Sequence, residues 1–369
     1  MKIPLHNRRD GFALLIAMTA VILLSLLAAR LAYSMKVEMT LARRADSEQQ
    51  LLWLGRSGVE LARYVLSQET SIAGQPYDSL NEIWAGGPGG PGETNSPLLG
   101  IDLSNYPIGD GTVSLKITDL ERKVNINRAD PQALQQALTL IGVDADDISV
   151  ISDSIQDWID ADDSPRLAGA ESDYYQTLNP PYYAKNAPID DLSELLLVKG
   201  VTPDIYWGTS ATNHPLSIFQ QKQKELGLGH SPNEIPDYPI GLVDIFTPIS
   251  SGRININTAD TNVLQMIPGV DAATAETIVQ QRAGPDGVEG TEDDTPFRSV
   301  NQLAATGLNP QIVQQLSRLC TVRSYVFEVH VTAKYKGFSR EYIAILFRNS
   351  ATDIQIVSFY WKDDVTNSN

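Results

Sequence analysis

The 369-residue chain has a single cysteine, Cys320, so it can form no intrachain disulfide and no cluster of thiolate metal ligands. Histidine is almost as scarce. His6, His214, His230 and His330 are the whole supply, and no two stand three or four residues apart, the spacing that puts a pair of zinc ligands on one helix face. Catalytic signatures are missing as well: there is no G-x-S-x-G, no H-E-x-x-H and no phosphate-binding loop, so the sequence does not read as an enzyme. Basic residues are outnumbered, 28 against 45 acidic, and the formal net charge of -17 makes the average surface repel phosphate backbones and anionic lipid. Proline is absent between Pro4 and Pro76, so nothing breaks a helix there. With 42% hydrophobic and 20% charged residues, the chain is neither disordered nor fibrous, and it is long enough for two or three packed units.

What is present begins at the amino terminus. Lys2, Arg8 and Arg9 stand against Asp10, and residues 12–29 then run without a charge, nearly the apolar length that crosses a bilayer as a helix. A secretory signal peptide would be followed by a cleavage site and turn residues. Here an amphipathic stripe follows instead: Val37, Leu41, Ala45, Leu52, Val59, Ala62 and Leu66. This predicts one helix over residues 12–67, roughly 80 Å long, with its first third in lipid. The Gly- and Pro-rich tract at residues 85–97 then forms a solvated loop.

Residues 112–119 alternate as a half-buried strand does, with Val113, Leu115 and Ile117 on one face. Residues 325–335, 340–348 and 354–361 alternate in the same way and predict an antiparallel meander. A lone strand at residue 112 is not stable, so it must join that distant sheet, and the roughly 200 residues between them become an insertion.

The insertion contains a repeat. KVNINRADPQALQ, starting at Lys123, aligns with RININTADTNVLQ, starting at Arg253, with seven identities at an offset of 130. Each copy sets an aspartate, Asp130 or Asp260, just before a helical run, where it can accept from first-turn amides. Each then reaches Gly-Val-Asp, a tight turn opening a second helix, and later a further short helix and turn. Two copies are too few for a solenoid and predict duplicated helical subdomains.

The densest chemistry lies in DSIQDWIDADDSPRLAGAESDYY. Asp160, Asp162 and Glu171, two alternating carboxylates and a third beyond a glycine-containing loop, suit an oxygen-only hard cation such as calcium. No EF-hand frame fits, and helix caps with solvated charges are the plainer alternative. A second tract packs five acids into residues 286–294 and makes Asp286, Asp293 and Asp294 candidates for another calcium ion.

Three resemblances carry these readings further. The basic leader ending in Gly11, followed by Phe12 and a long helix, resembles the class III signal of type IV pilins and type II secretion pseudopilins; this implies cleavage after Gly11 by the prepilin peptidase and methylation of Phe12. The family usually has Glu at the fifth mature position, and this chain has Ile16 there. A carboxylate buried in lipid is useful only when a subunit above supplies an amine, so Ile16 suits a subunit with nothing above it. The run NINTADTNVLQMIPGVDAATAETIVQQR resembles a helix-hairpin-helix module, but Asp271 stands where a phosphate would bind, and residues 129–184 hold eleven acids and one base, Arg166. A membrane-anchored periplasmic DNA receptor is therefore the alternative reading, and nucleic acid is not the expected partner.

Together with DWIDADDSPRLAGAESDYY and GLVDIFTPISSGRININTA, these features are similar to the type II secretion system protein K family of minor pseudopilins. The resemblance implies an α+β fold: a long membrane-spanning helix, a small antiparallel pilin-like sheet, and a large inserted all-α domain with two helix-hairpin-helix-like (SAM-like) subdomains. It divides the chain into leader 1–11, helix 12–69, a pilin-like domain of 70–122 and 320–369, a first helical subdomain 123–203, a linker 204–252 and a second subdomain 253–319. It implies bound calcium, minor pseudopilins I and J, the pseudopilus shaft and the prepilin peptidase as partners, and a capping role. Residues 12–29 would anchor the chain in the inner membrane, with the bulk in the periplasm.

Overall fold

A computed structural model describes residues 10–71, 76–89, 97–98, 100–208, 238–309, 313–314 and 316–362. Leader residues 1–9 and most of the expected linker, residues 209–237, lie outside the described residues.

Helix α1, Asp10–Ser71, runs unbroken for 62 residues, about 90 Å at 1.5 Å per residue. Its amino-terminal half packs on nothing: Phe12, Ile16, Leu24 and Leu31 are all more than half exposed. From Leu51 onward one face turns inward, and Leu51, Leu54, Val59, Ala62, Val65 and Leu66 are buried against the sheet. Two glycines allow that approach. A Cβ on Gly58 would stand 2.4 Å from Val331 Cγ1, and one on Gly55 would stand 2.5 Å from the Tyr342 ring.

The sheet has strand order β1-β2-β7-β8-β9, from β1 (Tyr106–Ile108), β2 (Gly111–Asp119), β7 (Val326–Tyr335), β8 (Phe338–Ser350) and β9 (Asp353–Lys362), all neighbours antiparallel. Strand β2 pairs with β7 from Thr112↔Lys334 to Asp119↔Phe327, so the isolated alternating segment does join the distant meander. Val113, Leu115 and Ile117 share the inner face with Phe327, Val329, Val331 and Ala333. Each Val, Leu, Ile or Phe side chain so removed from water contributes roughly 1.5–3 kcal/mol. One boundary differs from expectation. Lys336-Gly337 alone makes the β7–β8 turn, both with positive φ (46° and 84°), and Phe338 already pairs with Tyr335. That conformation matches the strand twist, which a longer loop would not need.

Between β2 and β7 the chain builds two helical units with separate cores. In the first, β3 (Val124–Asn125) leads to α2 (Pro131–Ile141), α3 (Ala145–Ile159), α4 (Ser172–Tyr175) and α5 (Pro203–Trp207). After α6 (Leu242–Ile245) and β4 (Phe246–Thr247), which pairs with β3, the second unit begins at β5 (Ile254–Asn255), continues through α7 (Thr261–Leu264) and α8 (Ala272–Arg282), and closes at β6 (Cys320–Thr321), paired with β5. The repeated aspartates cap as expected: Asp130 accepts from Ala133 N at 2.8 Å, and Asp260 accepts from Val263 N at 2.9 Å.

The repeated asparagines explain why the motif is kept twice. Asn127 accepts from Ile189 N at 2.7 Å and donates to Ile189 O at 2.9 Å. Asn257 does the same to Phe297, at 2.9 Å in both directions. Each amide thus pins the first half of its unit to a Pro-led segment more than 39 residues on, where a capping box follows, Asp191 with Glu194 and Ser299 with Gln302.

A buried polar joint ties the insertion to the sheet. Asp119 at the end of β2 accepts from Asn255 Nδ2 (3.2 Å), Ser324 Oγ (2.6 Å) and Thr258 Oγ1 (2.5 Å). Glu121 accepts from Tyr325 N and Val326 N, both at 3.0 Å, while buried Arg348 pairs with buried Asp78. Burial, and then the Glu121 carboxylate, push the Asp119 carboxyl up to about 8.

Candidate metal centre

The first acidic loop hangs from α3. That helix is amphipathic, burying Ile151, Ile155 and Trp158, and its inward face also carries Asp157, which is fully buried. A bare carboxylate there would be costly, and Arg166 answers it: Nη1 lies 2.6 Å from Asp157 Oδ1, and the Arg166 amide donates to Asp157 Oδ2 at 3.1 Å. Arg166 also pairs with Asp160, the residue that ends the helix. Ala168 N donates to Asp153 Oδ2, and Gly169 packs so tightly on Asp157 that a Cβ there would lie 1.9 Å from its Oδ2. The loop is thereby folded back onto its own helix.

This fold brings Asp160, Asp162 and Glu171 together, with one carboxylate oxygen of each within 4.8 Å of the others. Among the described residues it is the one group of three or more acidic, His or Cys side chains that converges in this way. Glu171 is only 3% exposed, and neither of its oxygens has a hydrogen-bond partner; Asp160 Oδ1 has none either. Burial, followed by the charges of Asp157, Asp160, Asp163 and Asp162, pushes the Glu171 carboxyl up to about 7. A buried carboxylate in that position must take a proton or a cation. The donors are all oxygen, which suits a hard cation and not zinc or copper.

Sequence reasoning passed over a further oxygen. Asn186, at φ 48°, donates through Nδ2 to Asp162 O (3.0 Å) and Asp163 Oδ1 (3.1 Å), while its own Oδ1 is buried without a partner. Nothing in the spacing marked Asn186, because it reaches the loop from 24 residues away. Asp157 was legible as an acid in the tract, but only the structure assigns it to Arg166.

The second acidic loop occupies the same place in the second unit, after α8. Its carboxylates do not converge. Asp293 accepts from Asp286 N (3.0 Å) and Thr291 Oγ1 (2.7 Å), Asp294 accepts from Gly290 N (2.8 Å), and Asp286 accepts from Val288 N (2.7 Å). These acids hold the loop's own backbone. Buried Arg282 closes it, bonded to Glu289 and to Ile256 O.

The hairpin turns have the left-handed glycines such a module needs, Gly142 (φ 97°) and Gly269 (φ 85°). In the second unit Asp271 occupies an amide that a phosphate would use, accepting from Thr274 N at 2.8 Å, and the Thr274 hydroxyl, followed by that amide, holds its carboxyl below the usual range. The residues expected at the processing site lie on α1: Gly11 is inside the helix, Phe12 is 68% exposed, and Ile16, five residues into the expected mature chain, is 54% exposed.

The fold and this loop define a class: an α+β protein with one helix long and apolar enough to cross a membrane, carrying a duplicated helix-hairpin-helix insertion and an oxygen-only candidate cation site. A family profile described as type II secretion system (T2SS), protein K, matches residues 114–208, and a helix-hairpin-helix motif profile matches residues 250–321. A putative type II secretion system protein K of Escherichia coli K12 is 27% identical over 215 residues, 55% of this chain and 61% of that protein. The chain therefore spans about 61% of that relative's length. The type II secretion system protein K of Pseudomonas aeruginosa is 24% identical over 309 residues, 79% of this chain and 77% of that one. In fold, a chain in the crystal structure of the GspK-GspI-GspJ complex of enterotoxigenic Escherichia coli is similar, with a TM-score of 0.60 and 18% identity, over 88% of this chain and 99% of that one. The sequence matches and the likeness in fold converge on type II secretion system protein K as what this chain is similar to. Among the described residues, one helix is long and apolar enough to cross a membrane, near the amino terminus.

Proposed function

We propose that the chain is a minor pseudopilin that caps the tip of a periplasmic pseudopilus in complex with minor pseudopilins I and J, supporting export of folded proteins across the outer membrane. It is an architectural subunit, not an enzyme. The observation that carries this reading is the position of the helical units: they interrupt a pilin-sized sheet between β2 and β7. A shaft subunit must accept a neighbour at each end, and two helical units with their own cores leave no room for one above. Ile16 agrees with this, since it offers no carboxylate to a neighbour's amine. The likeness in fold to the GspK-GspI-GspJ complex supports I and J as partners. Immunogold labelling with antibody to the insertion should mark one end of each pseudopilus, and label spread along the shaft would overturn the reading.

Two finer proposals accompany it. The prepilin peptidase cleaves after Gly11 and Phe12 becomes the methylated terminus; mass and sequence of the mature chain test this, and an intact Met1 would refute it. The cation at Asp160, Asp162 and Glu171 is calcium, which would bind these oxygens and fasten the loop that Arg166 folds back. A cation at Asp286, Asp293 and Asp294 would have to displace the amide bonds they accept, so the first loop is where the ion is expected.

The DNA-receptor reading is weaker on charge. The first unit carries an excess of carboxylates, and Asp271 fills the second unit's hairpin. Retention of the chain on DNA at low salt would revive it.

A further inference from the structure

A cavity of about 430 Å³ lies on the seam between the two helical units, within the size range of small-ligand sites. Its lining is mixed in chemistry. Ile254, Met266, Ile267 and Leu319 from the second unit supply apolar walls, and Lys123 and Arg128 from the first unit supply two cations. Arg128 is held in place by a bond from Nη1 to Ser251 O at 2.7 Å, and by Gly252, whose absent side chain leaves the room the guanidinium fills: a Cβ there would lie 2.7 Å from Nη1. Lys123 donates from Nζ to Val243 O at 2.6 Å. One acid also lines the cavity, Asp130, and its Oδ1 is engaged by the Ala133 amide at 2.8 Å.

Positioned cations beside apolar walls, with the Arg128 guanidinium braced among the lining residues, match one ligand chemistry. We propose that this seam cavity binds a carboxylate attached to an apolar group, the carboxylate on the Arg128 guanidinium and the apolar group against Met266 and Leu319. A guanidinium suits this because its fork matches the two carboxylate oxygens. Two sources share the chemistry: the carboxy-terminal residue of a peptide ending in a branched apolar side chain, and a short alkyl carboxylate. Because both units line the cavity, an occupant would also fasten one helical unit to the other. The inference does not depend on the capping role.

The test uses the full chain in detergent micelles with 13C-methyl methionine, so that Met266 reports from the cavity wall. The probes are N-acetyl-Ala-Ala-Leu with a free carboxylate, the same peptide as its carboxy-terminal amide, and hexanoate. The free-acid peptide or hexanoate should move the Met266 methyl signal saturably, and whichever binds identifies the source. The amide should need at least tenfold more, and Arg128→Gln should weaken the acid by about tenfold, the loss expected for a charge-assisted bond. Since Arg128 also braces the turn at Gly252, Ala133→Leu is the second variant: it fills the cavity from α2 and should abolish the shift while leaving the melting temperature unchanged. A Met266 signal that stays still with both acids at 10 mM, or that responds equally to the acid and the amide peptide, overturns the proposal.

Discussion

Replacing Glu171 with Gln should stabilise the chain without calcium and leave it the less stable of the two with calcium. The reasoning starts from burial. Glu171 is 3% exposed, its oxygens have no donor, and its carboxyl is pushed from an ordinary 4.5 to about 7. A carboxyl raised on folding is a liability: the unfolded chain loses its proton above pH 4.5, the folded one only near 7, so stability falls between those values and stays lowered above them. The gap corresponds to about 3 kcal/mol at pH 8, an upper figure because water entering the loop would screen it. Glutamine keeps the shape without the charge, so in EDTA the variant should melt up to about 4 °C higher at pH 8. Calcium reverses the order. At a thousand times its dissociation constant an ion that binds only the folded state adds about 4.1 kcal/mol, more than the buried charge costs, and the wild type alone should gain it. Thermal melts by circular dichroism of the full chain, in EDTA and in 5 mM calcium chloride, read both halves. Equal calcium shifts in the two proteins, or a variant that melts lower in EDTA, would refute the assignment.

Three further outcomes are expected. Asn257→Ala removes both bonds to Phe297 and leaves a buried N–H and C=O unpaired, so it should cost about 2–4 kcal/mol, seen as a lower denaturant midpoint and faster proteolysis within residues 253–309. Gly58→Ala should lift α1 from the sheet at Val331 and cost about 1–3 kcal/mol, and adding Val331→Ala should recover much of the loss in a double-mutant cycle. His330 lies between Glu328 (2.8 Å) and Glu341 (2.7 Å), and these bonds, Glu328 foremost, raise its pKa above 6.5. Its contribution is therefore complete below pH 6.5 and lost as pH rises through the raised value; denaturant midpoints from pH 5 to 9 should decline in the wild type and decline less steeply in His330→Gln, where the raised Glu171 and Asp119 carboxyls still act.

The sequence was most legible where a short period repeats. An apolar run without proline could only be a long helix, alternation at residues 112–119 and beyond residue 325 could only be half-buried strands, and the thirteen-residue repeat announced two related units. The cation loop was half legible. Acid density marked Asp160, Asp162 and Glu171, and also marked Asp286, Asp293 and Asp294, whose oxygens the structure turns onto their own loop's amides. Composition counts charges but not donors, so it could not tell one loop from the other.

What the chain order determined by itself were the local elements, since helix, strand and turn depend on neighbours a few residues away. What only tertiary structure decided were the partners of the polar groups: Asp157 with Arg166, Asn257 with Phe297, and Asp119 with Asn255, Thr258 and Ser324. Most of these lie tens to hundreds of residues apart. A buried carboxylate or amide takes whichever donor the packing brings within 3 Å, and that distance is a property of the fold, not of the spacing along the chain.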